Sequence, residues 1–350
     1  MQDKSYLHRC FELAKLAGRE ARPNPRVGAV IVHNDRIIGE GYHKKYGGPH
    51  AEVNAVNSVR EEDRQYLSES TMYVSLEPCC HFGITPPCTD LIIRNKIPRV
   101  CIAEIDPTQK VNSKGINIMQ SHSIEVKIIP IEDNDIIEEF KVNQLKQRPF
   151  VQLKFAKSVD NFIGQKGEQV WLSNETSGIF THKLRAHTDA ILIGTNTALI
   201  DNPALTLRNY PGNQPLRIVL DRQNRIPESH TLLSDALPTL IFTEQKRTLS
   251  LPIKKQFEID FSTENFVEDL LNKLFTMDIF HVMVEGGASL HKSFLSSGLW
   301  DEAVVINTPL LLNSGVKAPH LHGKIKDRFQ LDGDEVLVIG NWHEEAKNKN

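Results

Sequence analysis

Long apolar runs are missing from this chain. The longest, such as Val27–Val32 around one glycine, fall far short of the roughly 18–20 residues needed to span a bilayer, so no membrane partner is expected. Charge of one sign is missing too. Lys+Arg 41 against Asp+Glu 44 gives a net −3 with no long basic run, which argues against nucleic acid as the main ligand. Cysteine is scarce: the 350 residues hold 5, an odd number. The first twenty residues mix charged and apolar positions and lack the apolar core of a secretion signal. A reducing, cytoplasmic setting is therefore expected, with cysteines serving metal binding or packing rather than disulfides. No G-x-G-x-x-G follows a strand in residues 150–350, so a standard Rossmann nucleotide site is unsupported. There is no tandem repeat and no low-complexity tract.

What is present reads as soluble globular composition, 40% hydrophobic and 24% charged. At about 150 residues per domain the length suggests two domains, since a single core rarely grows past about 250–300 residues. The polar stretch 131–147 marks a boundary, giving domains 1–146 and 147–350. Apolar positions at helical spacing (Leu7, Cys10, Phe11, Leu13, Ala14, Leu16, Ala17) predict a helix over 5–19. Gly28–Val32, His33-Asn34-Asp35 and Arg36–Gly41 read as a hairpin. Helices at 50–59 and 88–95 alternate with strands at 71–76 and 99–104, an α/β layer structure with a parallel part after the hairpin. The second half alternates again. Strands are expected near 150–156, 190–193, 216–220, 239–242, 280–284 and 302–307, and helices near 174–186, 264–274 and 287–297. The last residues, 344–350, read as a frayed polar tail.

Chemistry concentrates in His50-Ala51-Glu52, Pro78-Cys79 and Cys88. Zinc favours thiolate and imidazole, and a catalytic zinc site keeps three protein ligands and an open position. His50, Cys79 and Cys88 could be those ligands, with the metal activating water. Glu52, two residues on at a helix start, can point into the same pocket without binding metal and carry a proton from water to a departing amine. The order matches the H-x-E…P-C-x-x-C signature of zinc nucleobase deaminases. The spacing departs from it, because eight residues separate Cys79 and Cys88. Cys80 and His81 compete as ligands, His43 lines a pocket or caps a turn, and Cys10 and Cys101 read as core. In the second half, Gly194-Thr195-Asn196-Thr197 and Glu285-Gly286-Gly287-Ala288-Ser289 each follow a strand. Either could bring backbone N–H groups to a phosphate or simply form a tight turn.

Arg22-Pro23-Asn24-Pro25-Arg26-Val27-Gly28, Gly41-Tyr42-His43, Pro49–Glu52 and Glu77–Cys88 together resemble the bifunctional riboflavin-biosynthesis deaminase–reductases. Leu153–Asp160, Trp171-Leu172-Ser173, Leu184-Arg185-Ala186, Thr197, Asp201–Arg208, Val219-Leu220-Asp221 and Val284–Gly287 continue the resemblance in order, over about residues 5–310. It implies a cytidine-deaminase-like α/β/α domain followed by a dihydrofolate-reductase-like α/β domain. It implies one Zn2+ per chain on His50, Cys79 and Cys88, proton transfer by Glu52, and substrate contacts from Asn24 and His43. It implies NADPH along Ala156, Trp171, Thr197, Asp201, Gly287, Ala288, Ser289, Leu290, His291 and Lys292. A phosphorylated pyrimidine would lie against Lys154, Gln169, Arg185, Leu205, Arg208 and Glu285. A homodimer is implied as well. Arg185 and Arg208 offer guanidinium forks for a ribose phosphate, and Glu285 can accept from pyrimidine N–H groups.

The chain departs from the family in several places. Asp106-Pro107-Thr108-Gln109 replaces Asp-Pro-Asn-Pro, Asn161 replaces a glycine, and Asn202 replaces an aspartate. Arg222 replaces a common serine and is expected to reach the 2′-phosphate of NADPH. Two rival readings stay open. One is a zinc deaminase of another nucleoside, base or tRNA with an unrelated C-terminal domain. The other is a non-catalytic zinc module with Cys80 or His81 as fourth ligand.

Overall fold

The structure, a computed structural model, describes residues 2–131 and 135–341. The expected polar tail lies outside the described residues. The chain divides into two compact units, Met1–Gln147 and Arg148–Asn350. No helix among the described residues is long and apolar enough to cross a membrane.

The first unit runs α1 (Gln2–Lys15), β1 (Gly28–His33), β2 (Arg36–Tyr42), α2 (Ala51–Ser58), β3 (Thr71–Val74), α3 (Cys88–Arg94), β4 (Arg99–Ile102), α4 (Lys114–Ser121), β5 (Glu125–Ile128) and α5 (Glu138–Lys146). Its five strands lie in the order β2-β1-β3-β4-β5. β1 is antiparallel to β2 and to β3, while β3, β4 and β5 are parallel. The hairpin closes on Asn34 and Asp35, both at positive φ (46° and 61°), the turn geometry that matches strand twist. Side chains alternate across the sheet. Val30, Val32 and Tyr73 face α1 and α5, whereas Ile31, Met72, Val74 and Val100 face α2, α3 and α4. The result is an α/β/α sandwich.

The second unit runs β6 (Phe150–Lys157), β7 (Phe162–Gly164), α6 (Glu175–His187), β8 (Ala190–Gly194), α7 (Thr195–Asp201), β9 (Leu216–Leu220), α8 (Thr231–Ser234), β10 (Thr239–Thr243), β11 (Lys254–Glu258), α9 (Phe266–Phe275), β12 (His281–Val284), α10 (Ala288–Ser297), β13 (Glu302–Asn307), β14 (Val316–Lys317), β15 (Lys324–Leu331) and β16 (Asp334–Gly340). Nine strands form one sheet in the order β11-β10-β9-β8-β12-β6-β13-β16-β15. It is parallel from β11 to β13 and antiparallel through β16 and β15. One face packs on α9 and α10; the other packs on α7 and α8. The reductase-like α/β architecture expected for this half is present.

The differences from expectation have local causes. α1 ends at Lys15, because Leu16 is exposed and Gly18 begins a tight turn at Arg19–Ala21. The polar stretch 131–147 is not a plain linker. Its helix α5 buries Phe140 and Val142, and Ile137 just before it is fully buried. Strands β5 and β15 are mostly exposed, and β11 carries a single apolar residue, Phe257, so apolar patterning gives little sign of them.

Candidate active sites

In the first unit, Gly39 and Gly41 of β2 let α2 lie close. A Cβ at either position would come within 2.5 Å of the Ala55 backbone. That approach sets His50 just ahead of α2 and buries Glu52 in its first turn. Cys79 lies in the loop after β3, and Cys88 opens α3. Nδ1 of His50 lies 3.5 Å from Cys79 Sγ and 3.4 Å from Cys88 Sγ. All three donor atoms fall within 4.8 Å of one another. The N···S edge of a tetrahedral zinc site is about 3.6 Å from its bond lengths, so the donor set fits a zinc ion. The Cys88 thiol hydrogen-bonds the Cys79 sulfur, which with His50 holds the Cys79 thiol below its usual range. Cys88 is raised by the same contact and by burial. Burial, then the charge of Cys79, pushes the Glu52 carboxyl up, and that carboxyl also meets the Cys88 thiol.

The surrounding contacts orient this cluster. His43 Nδ1 donates to the Pro49 carbonyl at 3.0 Å, which leaves Nε2 to accept from Asn24 Nδ2 at 3.2 Å. His43 thus joins Asn24 beside the cluster and does not merely cap a turn; its ring meets that of His50 edge-on at 5.2 Å. Cys80 is not in the cluster: its thiol points to the Lys110 carbonyl. His81 is exposed. The four-ligand closed site therefore finds no support in this geometry.

In the second unit a cavity of about 890 Å³ opens beside the sheet. Lys154, Ala156, Gln169, Trp171, Arg185, Thr197, Asp201, Leu205, Arg208, Arg222, Glu285 and Gly287–His291 all line it. Gly286 must be glycine, because a Cβ there would meet Ile193 at 2.8 Å; Gly287 takes φ +52°. The tight turn and the cavity wall are thus one feature, since the first turn of α10 faces the space. Glu285 accepts from Arg185 Nε and Nη2, each at 2.7 Å. Burial would raise the Glu285 carboxyl, but Arg185 and then Lys154 hold it below its usual value. Burial lowers the Lys154 amine against the pull of Glu285.

Several expectations are corrected by placement. Arg185 is not a free phosphate fork: it is bound to Glu285, and its Nη1 donates to the Thr206 carbonyl. Arg208 is the exposed arginine at that rim. Lys292 faces away from the cavity and is exposed. His291 is buried, with both ring nitrogens 3.1 Å from the carbonyls of Gly287 and Val284. Burial pushes it down to about 4, so the ring is neutral and its single N–H donates to one of these two carbonyls. Arg222 lines the cavity, but its Nε is held by Glu244 at 2.7 Å. Asn161 keeps the turn after β6 at φ 66°, as its substitution for glycine requires.

Comparison with known proteins matches both units. Residues 149–341 match the RibD C-terminal domain model. Residues 1–104 match the cytidine and deoxycytidylate deaminase zinc-binding region. The riboflavin biosynthesis protein RibD of Aquifex aeolicus is 37% identical, over 90% of this chain and 89% of that protein. Its counterpart in Bacillus amyloliquefaciens is 35% identical over 97% and 94%. A Thermotoga maritima crystal structure, described as a diaminohydroxyphosphoribosylaminopyrimidine deaminase/5-amino-6-(5-phosphoribosylamino)uracil reductase, superposes with a TM-score of 0.87 at 32% identity, covering 97% of this chain and 99% of that one. The chain belongs to the RibD family. It is a bifunctional deaminase–reductase of riboflavin biosynthesis, and the rival with an unrelated C-terminal domain is overturned by the RibD C-terminal match.

Within this RibD-family chain, sequence reasoning passed over three supporting residues. Glu77 is buried and accepts from the backbone N–H groups of Asp106 (3.3 Å), Ser113 (2.9 Å) and Ile116 (3.2 Å). It ties the segment leading to Cys79 to the loop whose sequence departs from the family. Glu139 of α5 grips Arg22, two residues before Asn24. His182 lines the reductase cavity, where burial and then Arg185 and Arg208 hold its imidazole low, and its Nδ1 accepts from the Arg208 backbone. Only Glu77 left a sequence signal, an acid preceding Pro78 and Cys79.

Proposed function

We propose that the first unit hydrolytically removes the ring amino group of 2,5-diamino-6-ribosylamino-4(3H)-pyrimidinone 5′-phosphate. The second unit then reduces the ribosyl group of the product to ribityl with NADPH. The observation that carries this reading is the three-donor cluster with the buried Glu52 at its side, in a chain that aligns end to end with a protein of that description. One zinc per chain would be held by His50, Cys79 and Cys88 and would supply an activated water, as NADPH would supply the hydride. Glu52 holds the proton: its carboxylate takes one from the water and delivers it to the leaving amine. Its burial beside the three donors keeps it within reach of both proton positions. Asn24, anchored through His43 and Pro49, keeps its carbonyl oxygen for the pyrimidine.

In the second unit Glu285 orients the pyrimidine through its N–H groups, with Arg185 fixing the carboxylate. Lys154 lies within the same cluster, where it can serve a ribose oxygen. Arg208 meets the phosphate, while Gln169 and Leu205 bound the substrate end. Ala156, Trp171, Thr197, Asp201, Gly287, Ala288, Ser289 and Leu290 line the cofactor end, with His291 beneath it. Trp171, 76% exposed at the cavity wall, offers a face for stacking. Arg222 would reach the cofactor 2′-phosphate by leaving Glu244. We place the protein in the cytoplasm, in keeping with five unpaired cysteines, and as a homodimer, which light scattering tests. The functional test is ammonia release by the purified protein. Release from the phosphorylated diaminopyrimidine is expected; release from cytidine instead would overturn the substrate assignment.

A further inference from the structure

Residues 80–87, between the two cysteines of the cluster, are long and conspicuously polar-poor. Phe82 is 77% and Ile84 69% exposed. From His81 to Pro86 every residue is exposed except Thr85. Its Oγ1 lies 3.3 Å from Nε2 of His50, the nitrogen opposite the one facing the sulfurs. Pro86 and Pro87 follow, and Pro87 leads directly into Cys88 and α3. Two prolines fix φ and hold the preceding residue extended, so this arm has little freedom to withdraw Thr85.

An imidazole that gives one lone pair to a cation must carry its hydrogen on the other nitrogen. Nδ1 faces both sulfurs, so Nε2 is the N–H, and among the described residues the oxygen within hydrogen-bond distance of it is Thr85 Oγ1. On the zinc reading above, we propose that Thr85 is a positioning residue for the metal: it accepts from His50 Nε2–H, fixing the tautomer and ring angle that aim Nδ1 at the ion. The extended spacing between Cys79 and Cys88 then has a purpose. It carries an orienting hydroxyl across to the third ligand, which a two-residue spacing has no chain to do.

The test is zinc affinity, measured by chelator competition on the full-length protein. Thr85→Val keeps the shape and removes the hydroxyl; Thr85→Ser keeps the hydroxyl. The expected result is zinc bound about 10–100-fold more weakly by Thr85→Val, near wild-type binding by Thr85→Ser, and a shifted absorption spectrum for cobalt-loaded Thr85→Val alone. Thermal melting checks that both variants fold. Thr85→Val binding zinc as tightly as wild type, or Thr85→Ser failing alongside it, would overturn the role of Thr85 and leave the zinc reading intact. Wild-type protein that takes up no zinc would overturn both.

Discussion

The two sites of this chain are built in opposite ways. The deaminase cluster is small and draws its three donors from two short motifs on neighbouring elements, at the start of α2 and around the loop into α3. The reductase cavity spreads along several strand ends, loops and helices and draws its residues from many separate stretches, from Lys154 to His291. Metal chemistry needs few donors at close range, so it leaves a local signature. Cofactor and substrate binding need a long, shaped surface whose members come from strand ends, loops and helices far apart in the sequence. A compact site should fail sharply when one atom is lost. A dispersed one should lose function in graded steps, except where charge is buried.

Glu52→Gln is the sharpest way to probe the first half of that contrast. Zinc content should persist while deamination falls about 10²–10⁴-fold, the range for a positioned proton carrier. Ammonia release near the wild-type rate would remove Glu52 from proton transfer. In the second half the comparable break is Glu285→Gln, which leaves the part-buried cations Arg185 and Lys154 without that counter-charge. Unfolding of the second unit should become easier by about 3–5 kcal/mol, with reduction lost and zinc content unchanged. The sign with pH follows. The Glu285 carboxyl is held below 4.5, so its stabilising contribution is present at neutral pH and fades as acid is added below that value. Calorimetry that finds wild type and Glu285→Gln equally stable at neutral pH would contradict the buried-pair account.

Smaller effects sharpen the comparison. Glu77→Gln weakens three backbone contacts at once and should cost about 1–3 kcal/mol. It should also raise the deaminase KM more than it lowers zinc content, because the loop at 106–116 moves while the three donors stay. Arg208→Ala should raise the reductase KM about tenfold, the size of one charge-assisted hydrogen bond, with kcat little changed. Arg222→Ala should give the smallest change, a modest loss of preference for NADPH over NADH, since Glu244 already competes for that guanidinium. An unaltered preference would take Arg222 out of cofactor recognition.

How much could be read beforehand follows the same divide. The hairpin, the buried parallel strands and the helices at 50–59, 88–95 and 287–297 carried strong apolar periodicity or turn chemistry. The His50, Cys79 and Cys88 donors that come together, and Glu52 beside them, stood out by type and spacing. The helix α5 and the strands β5, β11 and β15 did not, because half or more of the residues in each are polar and they take structure from tertiary contact: Glu139 from Arg22, β11 from its place at the sheet edge. Arg185 shows the limit most clearly. Its residue type suggested a phosphate, but its partner Glu285 lies one hundred residues away, and pairing across that distance is written in the fold. Lys292 adjoins residues that line the cavity, yet helical rotation turns it outward.

The central claim is that one chain deaminates and then reduces the same pyrimidine. It is tested most directly by following NADPH oxidation by the purified protein, supplied with the substrate that still bears its amino group. The account predicts oxidation that stops when zinc is chelated and resumes when the deaminated substrate is given to the same chelated sample. Oxidation that continues from the amino substrate without zinc, or none from the deaminated substrate, would contradict it.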